Sequence, residues 1–147
     1  MAETIATLLA AKGRQIWAVL PESSVFDAIA LMAEKGIGAV LVMSGQALLG
    51  IVSERDYARK VILQGRSSKE TKVRQIMTSA VVTVEPADTV ESCMRTMTQR
   101  RIRHLPVLDR GQLVGLVSIG DLVKALISDQ AFTIQQLESF IGGRYPV

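Results

Sequence analysis

The chain has 147 residues, of which 48% are apolar and 4% aromatic, with a formal net charge of +3, one cysteine and one histidine. This length fits one small domain with a shared core, and a lone cysteine excludes an internal disulfide, so we expect Cys93 to be buried filler. The longest apolar run, 37–43, is far short of the roughly 20 residues that span a bilayer, and the start lacks a signal-peptide pattern, so we expect a cytoplasmic protein.

Hydrophobic periodicity predicts a strand-helix-strand-strand-helix order in the first half of the chain. A lead-in helix precedes this unit and ends at Lys12 and Gly13, a usual C-terminal pattern. The predicted elements are the lead-in helix over 3–11, a strand over 16–20, a helix beginning near Val25, strands over 37–43 and 47–53 that pair as a hairpin, and a helix over 54–63.

The same order recurs in the second half after a polar linker that contains a short helical or turn segment over 72–78. The predicted elements are a strand over 81–84, a helix over 89–100, strands over 102–108 and 112–118, a helix over 119–128 and a last amphipathic helix over 133–141. Asp88 and Glu91 predict a capping box at the first of these helices.

The two halves repeat each other without a gap. Residues 16–62 align with 81–127, so that Gly50 and Gly115 stand 65 positions apart, as do Asp56 and Asp121. This repeat indicates one supersecondary unit used twice. We therefore expect an α+β fold of two repeats related by a pseudo-two-fold, with two small sheets packed together and helices outside. The expected divisions are the lead-in helix 1–13, first repeat 14–64, linker 65–78, second repeat 79–128, and C-terminal helix and tail 129–147.

A Ser-x-x-Asp sequence follows the last strand of each repeat, at 53–56 and 118–121. Free N–H groups, a hydroxyl and the positive end of the helix dipole meet there and can hold an anion, while the carboxylate can accept both hydrogen bonds of a ribose diol. The same sequence is also an ordinary helix cap, which a duplication would copy as faithfully as a binding site. Both interpretations stay open at this stage.

The second repeat has polar side chains where the first has small ones, which predicts that it is the better nucleotide site. The differences are Arg103 for Gly38, His104 for Ala39 and Thr83 for Ala18. In the first repeat, Trp17 is either a core residue or a platform for a base. Basic clusters elsewhere, at 12–14, 55–60, 66–74 and 100–103, favour a phosphate on a small ligand over nucleic acid, because aromatics are scarce and no nucleic-acid-binding signature is present.

The ordered set of motifs resembles the tandem cystathionine-β-synthase-type (CBS) domain pair, or Bateman module, of the stand-alone bacterial type. The resemblance covers about 14–128. It is carried by Gly-x-x-Ser-x-x-Asp at 50–56 and 115–121, Ile-Met-Thr at 76–78, Val-Val-Thr-Val-x-Pro at 81–86 and Ile-Arg-His-Leu-Pro-Val at 102–107.

The resemblance implies a regulatory sensor that binds adenosine ligands in clefts between the repeats. AMP is the first choice, with ATP, ADP, NAD and S-adenosylmethionine as alternatives, and no catalytic cofactor or metal is implied. The implied second-repeat site comprises Val82, Thr83, Arg103, His104, Leu105, Pro106, Ser118 and Asp121. The implied weaker first-repeat site comprises Lys12, Arg14, Ile16, Ala18, Gly38, Ala39, Ser53, Arg55 and Asp56.

The resemblance further implies a homodimer whose ligand state is read by an effector protein, without enzymatic activity. Three alternatives remain beside the sensor. They are a purely structural dimer whose Ser-x-x-Asp sequences are caps, a nucleic-acid-binding protein that uses the basic clusters, and an enzyme, against which the chain offers no catalytic triad or phosphate-loop motif.

Overall fold

The computed structural model describes residues 3–128, and its elements follow the predicted order. The predicted helix over 133–141 lies outside this range. The helices are α1 Ile5–Lys12, α2 Val25–Lys35, α3 Glu54–Tyr57, α4 Val90–Arg100 and α5 Ile119–Ser128, and the strands are β1 Ala18–Val19, β2 Ala39–Ser44, β3 Ala47–Ser53, β4 His104–Asp109 and β5 Gln112–Ser118. A π-helical turn, Ala58–Ile62, continues α3, and a 3₁₀ turn, Val73–Gln75, lies in the linker.

The α+β class is confirmed, with one small sheet from each repeat. In the first repeat β1 runs parallel to β2, and β2 pairs antiparallel with β3, so that Val40 faces Val52. In the second repeat only β4 and β5 form a sheet among the residues that the structure describes. Each hairpin keeps the same strand lengths, as the gap-free repeat predicts.

The strand predicted over 81–84 is wrong, because only Val84 forms a bridge, to Val107. In the first repeat the Leu41 N–H donates to the Trp17 carbonyl at 3.1 Å and so extends the parallel ladder. Pro106 occupies the position of Leu41 in the second repeat and has no N–H to donate. The ladder therefore stops after one bridge.

The predicted capping box of Asp88 and Glu91 is also wrong. The N-cap of α4 is Thr89, whose hydroxyl accepts the Ser92 N–H at 3.1 Å. Asp88 instead accepts the Glu85 N–H at 2.8 Å and closes the turn that precedes the helix. The cap falls on Thr89 because this residue has the extended backbone immediately before the first helical residue.

The first-repeat unit consists of residues 15–82 and 110–113. Its buried core joins one face of α2 to the inner faces of β2 and β3. The buried residues are Val25, Ala28, Met32, Val40, Val42, Val52, Val61, Val73 and Ile76. Trp17 packs against this core but is only half-buried, and the Lys35 Nζ lies 4.3 Å from the centre of its ring. Trp17 is therefore not a fully buried core residue, and Lys35 covers one face of its ring.

The second-repeat unit consists of residues 3–14, 83–109 and 114–128, so it includes α1 although α1 begins the chain. The backbone holds the start of α1 in place, since the Ile5 and Ala6 N–H groups donate to the Asp88 and Pro86 carbonyls at 2.9 Å each. Ile5, Leu8 and Leu9 are buried. Cys93 is buried as predicted, and this burial raises the pKa of its thiol to about 11, which makes it a poor nucleophile.

A glycine on the last strand of each repeat allows another segment to lie close. A Cβ at Gly50 would lie 2.8 Å from both the Met77 sulfur and the Thr78 carbonyl oxygen, whereas a Cβ at Gly115 would meet only the Leu9 side chain, at 2.8 Å. The Thr78 backbone is also fixed by two hydrogen bonds to Ile51, of 2.9 and 3.1 Å. A backbone fixed by hydrogen bonds can yield less than the end of a leucine side chain.

We therefore expect Gly50→Ala to destabilise the protein more than Gly115→Ala. The overpacking cost at Gly50 should be about 1–3 kcal/mol, and the cost at Gly115 should be smaller because only the end of the Leu9 side chain has to move. Urea unfolding of the two variants measures the difference. The two sites occupy equivalent positions of equivalent strands, so the strand propensity of alanine is matched, and an equal or larger loss for Gly115→Ala would contradict the expectation.

Candidate functional site

The second-repeat Ser-x-x-Asp forms where β5 runs into α5. The Ser118 N–H donates to the Asp121 Oδ2 at 2.8 Å, and the Asp121 N–H donates to the Ser118 Oγ at 3.2 Å. These reciprocal bonds satisfy two N–H groups at the start of the helix and fix the carboxylate over its first turn. Ser118 and Asp121 therefore do cap the helix, and the cap leaves the Asp121 Oδ1 available.

Lys12, the last residue of α1, also contacts this carboxylate. Its ammonium donates to the Asp121 Oδ2 at 2.5 Å and to the Leu116 carbonyl at 2.6 Å. Partial burial acts to raise the pKa of Asp121, but the hydrogen bonds from Lys12 and from the Ser118 backbone outweigh it and lower that pKa below its usual value. The Asp121 Oδ1 accepts no hydrogen bond from residues 3–128.

Arg103 and His104 stand beside this helix start. The Ile119 N–H donates to the Arg103 carbonyl at 2.9 Å, which fixes the start of β4 next to the start of α5. The first repeat makes the equivalent bond from the Glu54 N–H to the Gly38 carbonyl, at 3.0 Å. The shared bond shows that both repeats build the same junction.

The His104 imidazole is half-buried, and its pKa lies below the usual value. Burial lowers its pKa most, and the positive charges of Lys12 and Arg103 lower it further against the opposing effect of Asp121. The Arg103 side chain is exposed and has neither a hydrogen bond nor an ion pair within the described part of the chain. Arg103 and His104 thus lie near a carboxylate that has Lys12 on its Oδ2 and no partner for its Oδ1 among residues 3–128.

The other predicted second-repeat residues lie along the same strand junction or apart from it. Leu105 and Pro106 are buried in β4. The Pro106 carbonyl accepts the Val84 N–H at 3.0 Å, and this bridge fixes the position of the exposed Thr83, the residue before Val84. Val82 is half-buried and belongs to the first-repeat unit. The structure therefore brings Arg103, His104, Ser118 and Asp121 together, with Thr83 placed by the bridge at Val84.

The first-repeat Ser-x-x-Asp has the same cap but a fully engaged carboxylate. Asp56 Oδ2 accepts the Ser53 N–H at 2.9 Å and the Ser53 hydroxyl at 3.1 Å, and the Asp56 N–H donates to the Ser53 Oγ. Lys60 lies 3.4 Å from the Asp56 Oδ1 and donates to the Ile76 carbonyl at 2.9 Å. Both carboxylate oxygens therefore have partners within the unit.

The remaining first-repeat residues are less polar or lie elsewhere. Their placements are Ile16 half-buried, Ala18 exposed on β1, Gly38 half-buried, Ala39 buried and paired with Ser53, and Arg55 exposed on α3. Lys12 and Arg14, expected from the resemblance in the first-repeat site, belong instead to the second-repeat unit. No sequence pattern links Lys12 to a residue 109 positions away.

Two features near the sites were missed but could have been predicted from the sequence. Lys60 follows Asp56 by four residues, a spacing at which helical side chains meet, so that ion pair was detectable. Arg101 ends α4 in a left-handed conformation, φ 56°, where the first repeat has Gly36 at φ 65°. A glycine-to-arginine difference at a helix end signals a strained arginine next to Arg103.

Within residues 3–128, no group of three or more His, Cys, Asp or Glu side chains is placed to hold a metal ion. No helix in the same range is long and apolar enough to cross a membrane.

Comparison with known proteins identifies the family. The family model of the CBS domain matches residues 13–62 and 73–128. The mitochondrial CBS domain-containing protein CBSX3 of Arabidopsis thaliana is 41% identical, over 97% of this chain and 73% of its own length. The chain therefore belongs to the CBS domain family as a tandem pair, which confirms the resemblance seen in the sequence. Proteins of this family are generally regulatory rather than catalytic.

Solved structures agree. A protein with CBS domains from Burkholderia ambifaria MC40-6 shares 59% identity and a TM-score of 0.84, covering 89% of this chain and 98% of that one. The CBS domain pair of protein MJ0100, in complex with 5′-methylthioadenosine and S-adenosyl-L-methionine, has a TM-score of 0.77 and covers 87% of this chain and 98% of that one. At 20% identity, the second likeness shows the fold alone.

The single histidine allows a direct test of the site's electrostatics. Because the pKa of His104 is below 6.5 in the folded protein, the unfolded chain binds more protons between that lower value and 6.5. Stability contributed by neutral His104 is thus complete above pH 6.5 and is lost as the pH falls through the folded pKa. We expect His104→Gln to remove this part of the pH dependence of urea unfolding, and a nuclear magnetic resonance titration of the imidazole to show the lowered pKa. An imidazole that titrates at or above 6.5 would contradict this account.

Proposed function

We propose that this CBS pair is a sensor that binds an adenosine ligand at the second-repeat Ser118–Asp121 junction. One observation carries the proposal. Asp121 keeps one carboxylate oxygen without a partner among residues 3–128, beside a half-buried His104 and an exposed Arg103, whereas Asp56 has both oxygens engaged. A carboxylate with a free oxygen can accept a ribose hydroxyl, and a nearby guanidinium can bind a phosphate.

The groups at this junction favour a ligand that carries phosphate. Arg103 provides donors in a fork geometry suited to phosphate oxygens, and N–H groups at the start of α5 favour an anion. A phosphate next to His104 would stabilise the imidazolium and raise its pKa. AMP is therefore our first choice, with ADP, ATP and NAD next, and S-adenosylmethionine last because it has no phosphate.

Two further observations support this assignment. The MJ0100 pair, which shares this fold, is described in complex with two adenosine compounds, so the fold can hold such ligands in that protein. In the first repeat, glycine and alanine replace Arg103 and His104, and Lys60 occupies the free side of Asp56. We propose that the first-repeat set binds more weakly or not at all.

The proposal extends to assembly and location. Exposed apolar side chains on the surface of the first-repeat unit, and one on α5, favour a homodimer that covers them. These side chains are Leu20, Phe26, Ile62, Leu63 and Ile127. We propose that ligand binding changes how the dimer contacts an effector protein, that the ligand leaves chemically unchanged, and that the protein is cytoplasmic.

A second candidate is a purely structural module. It is favoured by the finding that both Ser-x-x-Asp sequences form reciprocal helix caps. In that case substitution of either aspartate would lower stability by the ~0.5–2 kcal/mol of a lost cap and would change no binding.

Thermal unfolding with AMP, ATP, NAD and S-adenosylmethionine separates the two candidates. We expect AMP at about 100 times its dissociation constant to add ~2.7 kcal/mol, a rise of roughly 5–11 °C in Tm. Asp121→Ala should abolish the shift and Asp56→Ala should keep it. Both variants lose an equivalent cap, so the loss of the cap itself is matched.

A nuclear magnetic resonance titration of His104 with and without AMP gives a second readout, at the site itself. AMP should raise the pKa of His104 in wild-type protein and leave it unchanged in Asp121→Ala. A Tm shift that survives in Asp121→Ala and vanishes in Asp56→Ala would move the site to the first repeat. The absence of any shift with all four compounds would support the structural module.

A further inference from the structure

We infer that Lys12 is a built-in competitor for the Asp121 carboxylate, and that an adenosine ligand bound there releases the last turn of α1. This inference rests on the proposed function, since it assumes that ribose is held by Asp121. It assigns to α1 the role of the element that changes when the site is filled.

The occupancy of the two carboxylate oxygens leads to this conclusion. The Asp121 Oδ2 already accepts two donors, the Ser118 N–H at 2.8 Å and the Lys12 ammonium at 2.5 Å. A ribose diol offers two hydroxyls, and a carboxylate binds them best with one on each oxygen. The first hydroxyl can use the Oδ1, and in this arrangement the second binds the Oδ2, whose two lone pairs are already taken.

Of the two donors on the Oδ2, Lys12 is the one that can leave. The Ser118 N–H is fixed because it belongs to the backbone of the same turn, and its loss would leave a helix N–H unsatisfied. The Lys12 side chain is 35% exposed, so its ammonium can return to water at small cost. Its second bond, to the Leu116 carbonyl, depends on the same side-chain position.

The release is confined to one end of α1. The start of the helix is held by backbone hydrogen bonds to Asp88 and Pro86, and Leu9 stays packed over Gly115. The turn after Leu9, closed by the Gly13 N–H to the Leu9 carbonyl at 2.7 Å, carries Lys12, so it is the part of α1 that loses contacts when Lys12 leaves Asp121. The strength of that hydrogen bond should therefore change when a ligand fills the site.

The first repeat provides an internal comparison. Lys60 also contacts an aspartate and a backbone carbonyl, but it lies four residues after Asp56 on the same helical segment. Displacing Lys60 from Asp56 would break no contact between the carboxylate and a separate helix. Coupling to a distinct helix is thus a property of the second-repeat carboxylate.

The test combines calorimetric titration with hydrogen exchange. The variants are Lys12→Met and Lys12→Gln, with Lys60→Met as the matched control that removes the other aspartate-bound lysine. We expect the two Lys12 variants to bind AMP about two- to fivefold more tightly than wild type, because the competitor is absent. Lys60→Met should bind AMP as wild type does.

Hydrogen exchange at the Gly13 amide gives a second readout. In wild type, AMP should speed exchange of this amide, while in the Lys12 variants exchange should already be fast without AMP and should change no further. The measurement on ligand-free protein tests the contact itself, whether or not a nucleotide binds.

Several results would overturn the inference. Equal or weaker AMP binding by both Lys12 variants, with binding intact in wild type, would show that Lys12 is no competitor while the proposed function stands. Unchanged Gly13 exchange in ligand-free Lys12→Met and Lys12→Gln would show that Lys12 does not hold the helix end. If AMP binds neither wild type nor variant, the proposed function fails and the inference fails with it.

Discussion

The bond between an aspartate carboxylate and a serine N–H, at the junction of a strand and a helix, is the interaction on which this protein depends. It occurs once in each repeat, at 2.9 Å in the first and 2.8 Å in the second. It satisfies a helix N–H that would otherwise be unpaired, and it fixes the orientation of the carboxylate. The same bond thus begins the last helix of each repeat and presents an acidic group at a defined place. What differs between the repeats is which lysine reaches that group.

The two lysines explain why a duplicated cap need not be a duplicated site. Lys60 comes from the same helical segment as Asp56, so the first-repeat carboxylate is neutralised by its own sequence neighbourhood. Lys12 comes from α1, a helix outside the repeat, so the state of Asp121 depends on a contact that forms only in the folded unit. A local ion pair makes a fixed cap, whereas a long-range one makes a contact that a ligand can replace.

The sequence alone predicted the regular parts of this fold. The gap-free repeat correctly predicted both hairpins, and the bounds of β3, β5 and α5 coincide with the pattern. The hydrophobic pattern gave a wrong prediction where a single backbone N–H decides whether a strand forms. The strand before the second repeat's helix is lost because Pro106 lacks the N–H that Leu41 supplies in the first repeat. Four residues of the candidate site, Ser118, Asp121, Arg103 and His104, lie together in the structure as the sequence led us to expect. The contact between Lys12 and Asp121 could not be predicted from the sequence, because no periodicity relates residues 109 positions apart.

The position of α1 also determines how the chain must fold as it is made. Its buried side chains, Ile5, Leu8 and Leu9, are synthesised well before β5 and α5, yet Leu9 covers a glycine of β5 and Lys12 meets the first turn of α5. Since synthesis proceeds at about 5–20 residues per second, this helix emerges several seconds before its partners exist. During that interval the nascent chain carries an exposed apolar segment, while residues 15–82, which contain nearly all of the first-repeat unit, are already available to fold. The second-repeat core closes last, when both distant parts of the chain are available at once.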